Sequence, residues 1–279
     1  MRAAAAPARR APAVSPWLLA LTSAVGVAAF LYPFLLPPNA VGEAGAHGTD
    51  APLLLGGLVG LCVLVLLADL ETRALDAKQI ALLGILIATN AVLRPMQALG
   101  GFSPIYILPI LVGYVFGAHA GFLLGALSVL VSALITGGVG PWLPFQMFGL
   151  GWLGLASAAL AGPGRALARR GVSERWTLAV WGGVAGLAFG ALLNLYFWPF
   201  VAPAQMADPA QAWDPAHGVL GALQSYAAFY LVSSFWYDLL RAAGNFALLL
   251  VLAPPVLKLL RRFQARFLFT VVEGAPETQ

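Results

Sequence analysis

Long apolar runs alternate with short polar or proline-rich breaks along this chain, and the lengths of the runs decide what the elements are. Trp17–Leu36 and Ala51–Leu70 are each long enough, at about 20 mostly apolar residues, for a helix to cross the hydrocarbon core of a bilayer. Residues 1–16 before them are rich in Ala and Pro, carry Arg2, Arg9 and Arg10, and predict a disordered basic tail. A secretory leader has a similar front but an apolar core of usually about 7–15 residues. Trp17–Leu36 therefore reads as an uncleaved span. After a charged turn from Asp69 to Lys78, six more spans follow: Gln79–Leu93, Ile105–Gly117, Ala120–Thr136, Trp142–Ala161, Thr177–Phe200 and Tyr237–Leu260. The organisation expected is two N-terminal helices over 17–70, a six-span core over 75–265 and a tail over 266–279.

Two stretches break the pattern in an informative way. The run Gly137-Gly138-Val139-Gly140-Pro141-Trp142-Leu143-Pro144-Phe145-Gln146-Met147 interrupts apolar sequence that is too long for one crossing. Its glycines permit backbone angles other residues resist, and its prolines fix φ and remove amide donors. A turn at a membrane surface fits, with Trp142 at the interface and Gln146 one helical turn further in, facing a cavity or another helix. The second stretch is Val219–Trp236, apolar enough to span yet carrying Gln224, Ser225, Ser233 and Ser234.

Charge arbitrates the second case. Lys and Arg accumulate in cytoplasmic loops. With eight spans and Val219–Trp236 held on the outer surface, every Lys and Arg except Arg94 and Arg241 falls inside, and both termini are cytoplasmic. Only 9% of the residues are charged and 61% are hydrophobic, against roughly 25% charged in a soluble domain. This is the composition of an all-α, polytopic integral membrane protein, and the clustered basic residues do not point to nucleic acid.

The two excepted arginines mark the candidate chemistry. Asp238 precedes Arg241 by three residues, so the pair can share a helix face. Asn90 lies one turn inside Arg94, and Asn245, Asn194 and Gln146 lie at comparable depth on three other spans. Intramembrane polar groups are costly and are functional suspects. They can also serve simply as interhelical hydrogen bonds. Their convergence in the outer half predicts an outward-facing pocket, with Tyr106, Trp142 and Trp198 among the aromatic walls, under a lid formed by Val201–Trp236. No P-loop, acid pair, Ser/His/Asp set or zinc motif is present; no catalytic residue, metal site or cofactor is expected, and His47, His119 and His217 read as ordinary loop histidines. Small residues at Ala77, Ala81, Gly84, Ala88 and Ala91 share one helical face, which permits close approach of another helix, in this chain or in a partner.

The runs from Leu75 to Gly84 and from Asn90 to Pro95, with the Gly137–Met147 turn, resemble the substrate-binding S component of energy-coupling factor (ECF) vitamin transporters, over about residues 75–265. The two N-terminal spans are additional to that core. The resemblance implies a non-enzymatic subunit of the bacterial plasma membrane that captures a vitamin and works with a transmembrane scaffold and two cytoplasmic ATPases. It implies that Ala77, Ala81, Gly84 and Ala88 face the scaffold and that ligand binds in the outer half. The cobalamin (corrinoid) branch is the closest in sequence; a thiamin precursor or a queuosine precursor is the alternative ligand. A membrane enzyme acting on lipid-linked substrates and a purely structural subunit are the rival classes.

Overall fold

The computed structural model describes residues 15–35, 47, 50–71, 77–96 and 103–267. The expected disordered tail, most of the Pro37–Asp50 loop, the turn before residue 77 and the C-terminal tail beyond 267 lie outside the described residues. Among the described residues, ten α-helices form in order: α1 (Ser15–Leu31), α2 (Ala51–Glu71), α3 (Ala77–Leu93), α4 (Ile107–Phe116), α5 (Ala118–Thr136), α6 (Leu143–Ser157), α7 (Ala161–Arg169), α8 (Glu174–Phe197), α9 (Gly218–Ser233) and α10 (Phe235–Phe267). Among the described residues there is no strand.

Among the described residues, six stretches are long and apolar enough to cross a membrane: Pro16–Leu35, Ala51–Glu71, Ala118–Thr136, Leu143–Arg169, Glu174–Phe200 and Phe235–Ala265. Lys78–Leu93 and Pro104–Phe116 are shorter apolar helices. Together they coincide with the eight expected spans, and the chain has the fold of an all-α, multi-pass membrane protein.

The core is built around α4. All residues from Ile107 to Tyr114 are buried, as a helix apolar on every side must be. It is packed among α5, α6, α8 and α10. Gly117, at φ 98°, ends α4 and starts α5 in a conformation that a side chain would strain. The α5–α6 crossing is close because it has no side chains at its centre: a Cβ on Gly121 would stand 2.5 Å from the carbonyl oxygen of Gly154. In lipid, where apolar burial gives helices little reason to associate, such backbone approach is the main source of packing energy. The same device joins α8 to α10, where Gly182, Gly186 and Gly190, four residues apart, face Leu249, Ala242 and Asp238.

Side-chain bonds fasten the two ends of the bundle. At one end, Tyr114 donates to Glu174 at 2.6 Å, Arg261 donates twice to the same carboxylate at 2.7 and 2.8 Å, and Gln264 donates to the Val115 carbonyl. The basic segment from Arg165 to Arg175 is at this end. Asp50, Asp208 and Asp214 are at the other, so the structure separates the basic and acidic loops as the charge pattern predicts.

Two elements differ from the sequence reading. The basic stretch after Ala161, between two expected spans, is helical as α7, and α10 runs through Pro254 and Pro255 and continues past Leu260 to Phe267. Val219–Trp236, expected at the outer surface, is mostly α9, whose Tyr226 and Tyr230 donate to the Ala191 and Leu187 carbonyls in the C-terminal half of α8. Ser234, just past α9, meets Asn194 in that same half. These contacts with α8 fall in the C-terminal half of that helix and do not run its length.

Candidate functional site

The turn between α5 and α6 positions the first group. Gly137 closes α5 at φ 69°, and the Gly137 and Gly138 amides both donate to the Ala133 carbonyl, the hydrogen-bond pattern of a glycine-terminated helix. Chain reversal follows, with Pro144 in the first turn of α6, and Gln146 one turn in. Its Oε1 accepts from Arg94 Nη2 at 2.6 Å. Arg94 follows the end of α3, so this bond ties α3 to α6. The expectation that Gln146 faces another element is met.

A second group lies where α8, α10 and the turn before α4 meet. Asp238 and Arg241 form an ion pair on α10, with side chains only 2% and 11% exposed. The carboxylate fits because residue 190 is glycine; any Cβ there would occupy its space. The Arg241 guanidinium stands 5.3 Å from the Tyr237 ring centroid, 5.7 Å from Phe189 and 5.9 Å from Tyr106, an aromatic enclosure for a cation. Tyr106 is buried between the two groups, within electrostatic reach of Arg94 on one side and of Arg241 and Asp238 on the other. Tyr230 sits beside Asp238, but its hydroxyl is directed at the Leu187 carbonyl, 3.5 Å away. Asp238 Oδ2 and Arg241 Nε are buried with no hydrogen-bond partner. Buried polar atoms without partners are rare enough to need a reason.

The remaining expected residues divide between a cover and helix interfaces. Trp198 is buried, donates to the Gln211 carbonyl at 2.9 Å and packs against Phe34, Trp213 and Tyr226. Asn194 donates to Ser234 at 2.5 Å, where α9 turns into α10. These two belong to the cover. Asn90 donates to Ser128 on α5, and Asn245 to the Gly182 carbonyl on α8 at 3.4 Å. Both join helix pairs rather than the cluster around Tyr106. Trp142 is 40% exposed, its ring over Gly140, at the rim. Arg94, Tyr106, Gln146, Asp238 and Arg241 are thus the expected residues that the fold brings together.

On α3, Ala81, Gly84 and Ala88 face outward, and a Cβ on Gly84 would meet nothing within 4 Å. Ala91 is buried, so the small face does not extend to it; the Ala77 side chain lies outside the described residues.

Sequence reading missed the histidines. His47 is buried, with Nδ1 2.7 Å from Asp50 Oδ2, Nε2 2.8 Å from the Tyr196 carbonyl and its ring 4.4 Å from that of Phe145. Tyr32 donates to the same Asp50 oxygen at 2.6 Å. Burial alone would raise the Asp50 pKa, but these hydrogen bonds and the nearby imidazole outweigh it and hold the carboxyl below its ordinary value. At the opposite end, His119 Nδ1 lies 2.9 Å from the fully buried Asp69. Only His217, exposed beside Asp214, is an ordinary loop histidine. The His47–Asp50 spacing of three at a helix start was the available signal. Among the described residues, no three His, Cys, Asp or Glu side chains group as a metal site.

A protein-family model described as "ECF transporter, substrate-specific component" matches residues 78–253. No curated protein matches the chain. No solved structure matches it.

Proposed function

Because this chain belongs to the family of ECF transporter substrate-specific components, a class of transport subunits that associate with a membrane scaffold and ATPase modules, we propose that the cluster around Tyr106 captures a vitamin or related micronutrient for ATP-driven import. The observation that carries this reading is the pair of unpartnered buried atoms, Asp238 Oδ2 and Arg241 Nε, beside a second arginine bonded to Gln146. An acceptor and a donor left open in a desolvated, ring-lined site suit a ligand that offers both, as an amide or a carboxylate beside a hydroxyl does. Cobalamin, whose rim is rich in amides, is the first ligand to test; a thiamin precursor and a queuosine precursor are the alternatives.

The mechanism follows from the elements around the cluster. Asn194 and Trp198 link α8 to the Pro203–His217 turns and α9, so a ligand filling the site orders this cover and shifts the population toward a form competent to dock. The exposed Ala81, Gly84 and Ala88 surface receives the scaffold, with Ala77 one turn before it. Hydrolysis in the partner ATPases then supplies the energy for release.

Mass spectrometry of small molecules retained by the purified chain tests the assignment, followed by equilibrium binding of labelled cobalamin. Losing one charge-assisted hydrogen bond in a desolvated site costs about 1.5–3 kcal/mol, or roughly 10–150-fold in affinity. Arg241→Ala and Gln146→Ala are each expected to weaken binding at least about tenfold. Unchanged affinity in both variants returns these residues to helix packing. Retention of a different vitamin keeps the site and replaces the ligand.

A further inference from the structure

A concavity lies between α6 and α8, bordering the Tyr106 cluster through the shared Phe189 ring. Its volume is about 170 Å³, and Trp152, Ala156, Trp181, Ala185, Ala188 and Phe189 are among its walls. That is below the range of about 300–1,000 Å³ typical of small-molecule pockets. Both indole N–H groups are already engaged: Trp152 donates to Ser23 at 3.2 Å and Trp181 to Ser157 at 2.8 Å. The cavity therefore shows an occupant little but apolar surface. Neighbouring Val180 and Val184 are exposed, as lipid-facing side chains of a span are.

What lies at one end of this groove identifies the occupant. α7 is the connection from α6 to α8, so its arginines cluster where the two helices meet it. Arg165, Arg169, Arg170 and Arg175 are exposed. Glu174, the acidic residue among them, is taken by two bonds from Arg261. Among the described residues, Arg169, Arg170 and Arg175 pair with no carboxylate. The Arg175 guanidinium stands 5.8 Å from the ring centroid of Trp176, an anchor of the kind found at the headgroup level. At 1.5 Å of rise per residue, the cavity's walls on α8 run from Trp181, about 9 Å from Arg175, to Leu192, about 26 Å along. Its nearer part, at Trp181 and Ala185, lies within one leaflet's hydrocarbon, about half of a 30 Å core.

The geometry points to a site for an anionic phospholipid, with its phosphate on Arg169, Arg170 and Arg175 and one acyl chain in the α6–α8 cavity against Trp152 and Trp181. Basic pockets between membrane helices recognise acidic headgroups through this combination of charge and apolar depth.

The test uses the full chain in detergent micelles, titrated with phosphatidylglycerol or phosphatidylcholine of identical, mid-chain-brominated acyl groups that quench nearby indoles. Phosphatidylglycerol is expected to quench at roughly tenfold lower concentration than phosphatidylcholine. Because the chain has 8 tryptophans, Trp181→Phe isolates the local signal and is expected to lower the quenched fraction. The combined Arg169→Gln, Arg170→Gln and Arg175→Gln variant, altered only at exposed positions, is expected to bring the two lipids to equal potency. Ala188→Phe, which fills the cavity from its exposed edge, is expected to weaken quenching by phosphatidylglycerol several-fold. Equal potency of the two lipids on the unaltered protein overturns the headgroup assignment, and a quenched fraction unaffected by Trp181→Phe overturns the cavity as the acyl site.

Discussion

Asp238 and Arg241 form a buried pair whose packing and proposed recognition roles can be separated by experiment. Removing one partner of a buried ion pair strands the other, which typically costs about 3–5 kcal/mol unless the stranded group changes protonation. Arg241→Ala is therefore expected to lower the apparent melting temperature in detergent. The double variant Asp238→Ala with Arg241→Ala strands no charge and should recover most of that loss, a coupling of about 1–3 kcal/mol. Ligand affinity should not recover with it. A double variant that regains both stability and binding would show the pair to be structural. Gly190→Ala adds the independent arm: its Cβ takes the volume of the Asp238 carboxylate, so it is expected to weaken binding as the arginine variant does while both charged residues remain. The i,i+3 spacing of this pair was legible in the sequence. Its dependence on Gly190 was not, because glycine on α8 and carboxylate on α10 meet only through tertiary packing.

At the level of elements, run length and turn chemistry carried most of the information. Eight apolar stretches and the α5–α6 turn could be read from residues 17–265, since membrane spans must satisfy their backbone internally and helices alone do so in a single segment. The end of α6 and the whole of α7 could not, because α7 is amphipathic and short and its arginines fall between two expected spans. The asparagines show the other limit: depth in the sequence is not direction, and Asn90 and Asn245 point into helix interfaces at Ser128 and Gly182. The outward face of α3 gives a prediction at this scale. A leucine at Gly84 meets nothing within 4 Å of its Cβ in the isolated chain, and glycine is a poorer helix former by about 0.8–1.0 kcal/mol than alanine. Gly84→Leu should leave or slightly raise thermal stability and leave ligand binding intact, yet abolish uptake in cells that supply the scaffold and ATPases. Uptake at the unaltered rate would remove α3 from the docking surface.

For the whole molecule, the question is what α1 and α2 do, since the family match begins at residue 78. They are not loosely tethered. Leu19, Phe30, Leu58 and Cys62 are part of the same buried cluster as Phe145 and Phe148, and the Phe30 and Phe145 rings meet edge to face at 5.0 Å. His47–Asp50 pins one end of α2 to Tyr196, and Asp69–His119 pins the other to α5. The two spans read from the sequence as an addition of no evident role, because contacts across such separations leave no local signal. Fixing both ends of a helix this way predicts a clasp whose ends fail separately. His119→Ala should lower stability without affecting ligand affinity, since Asp69 is remote from the cluster. His47→Ala should lower stability and also weaken binding, because Nε2 holds the Tyr196 carbonyl beside the Trp198 cover. Acid supplies the same test without mutation. The Asp50 carboxyl is held below its ordinary value, so its stabilisation is fully present above the unfolded value of about 3.9 and is lost as pH falls through the lower folded value. Asp50→Asn removes the titrating group, and is expected to show less stability than the unaltered chain at neutral pH and a shallower loss on acidification. A variant with the same acid profile as the unaltered protein would place the sensitivity elsewhere, and equal ligand affinity in His47→Ala would confine the clasp to holding α1 and α2 in place.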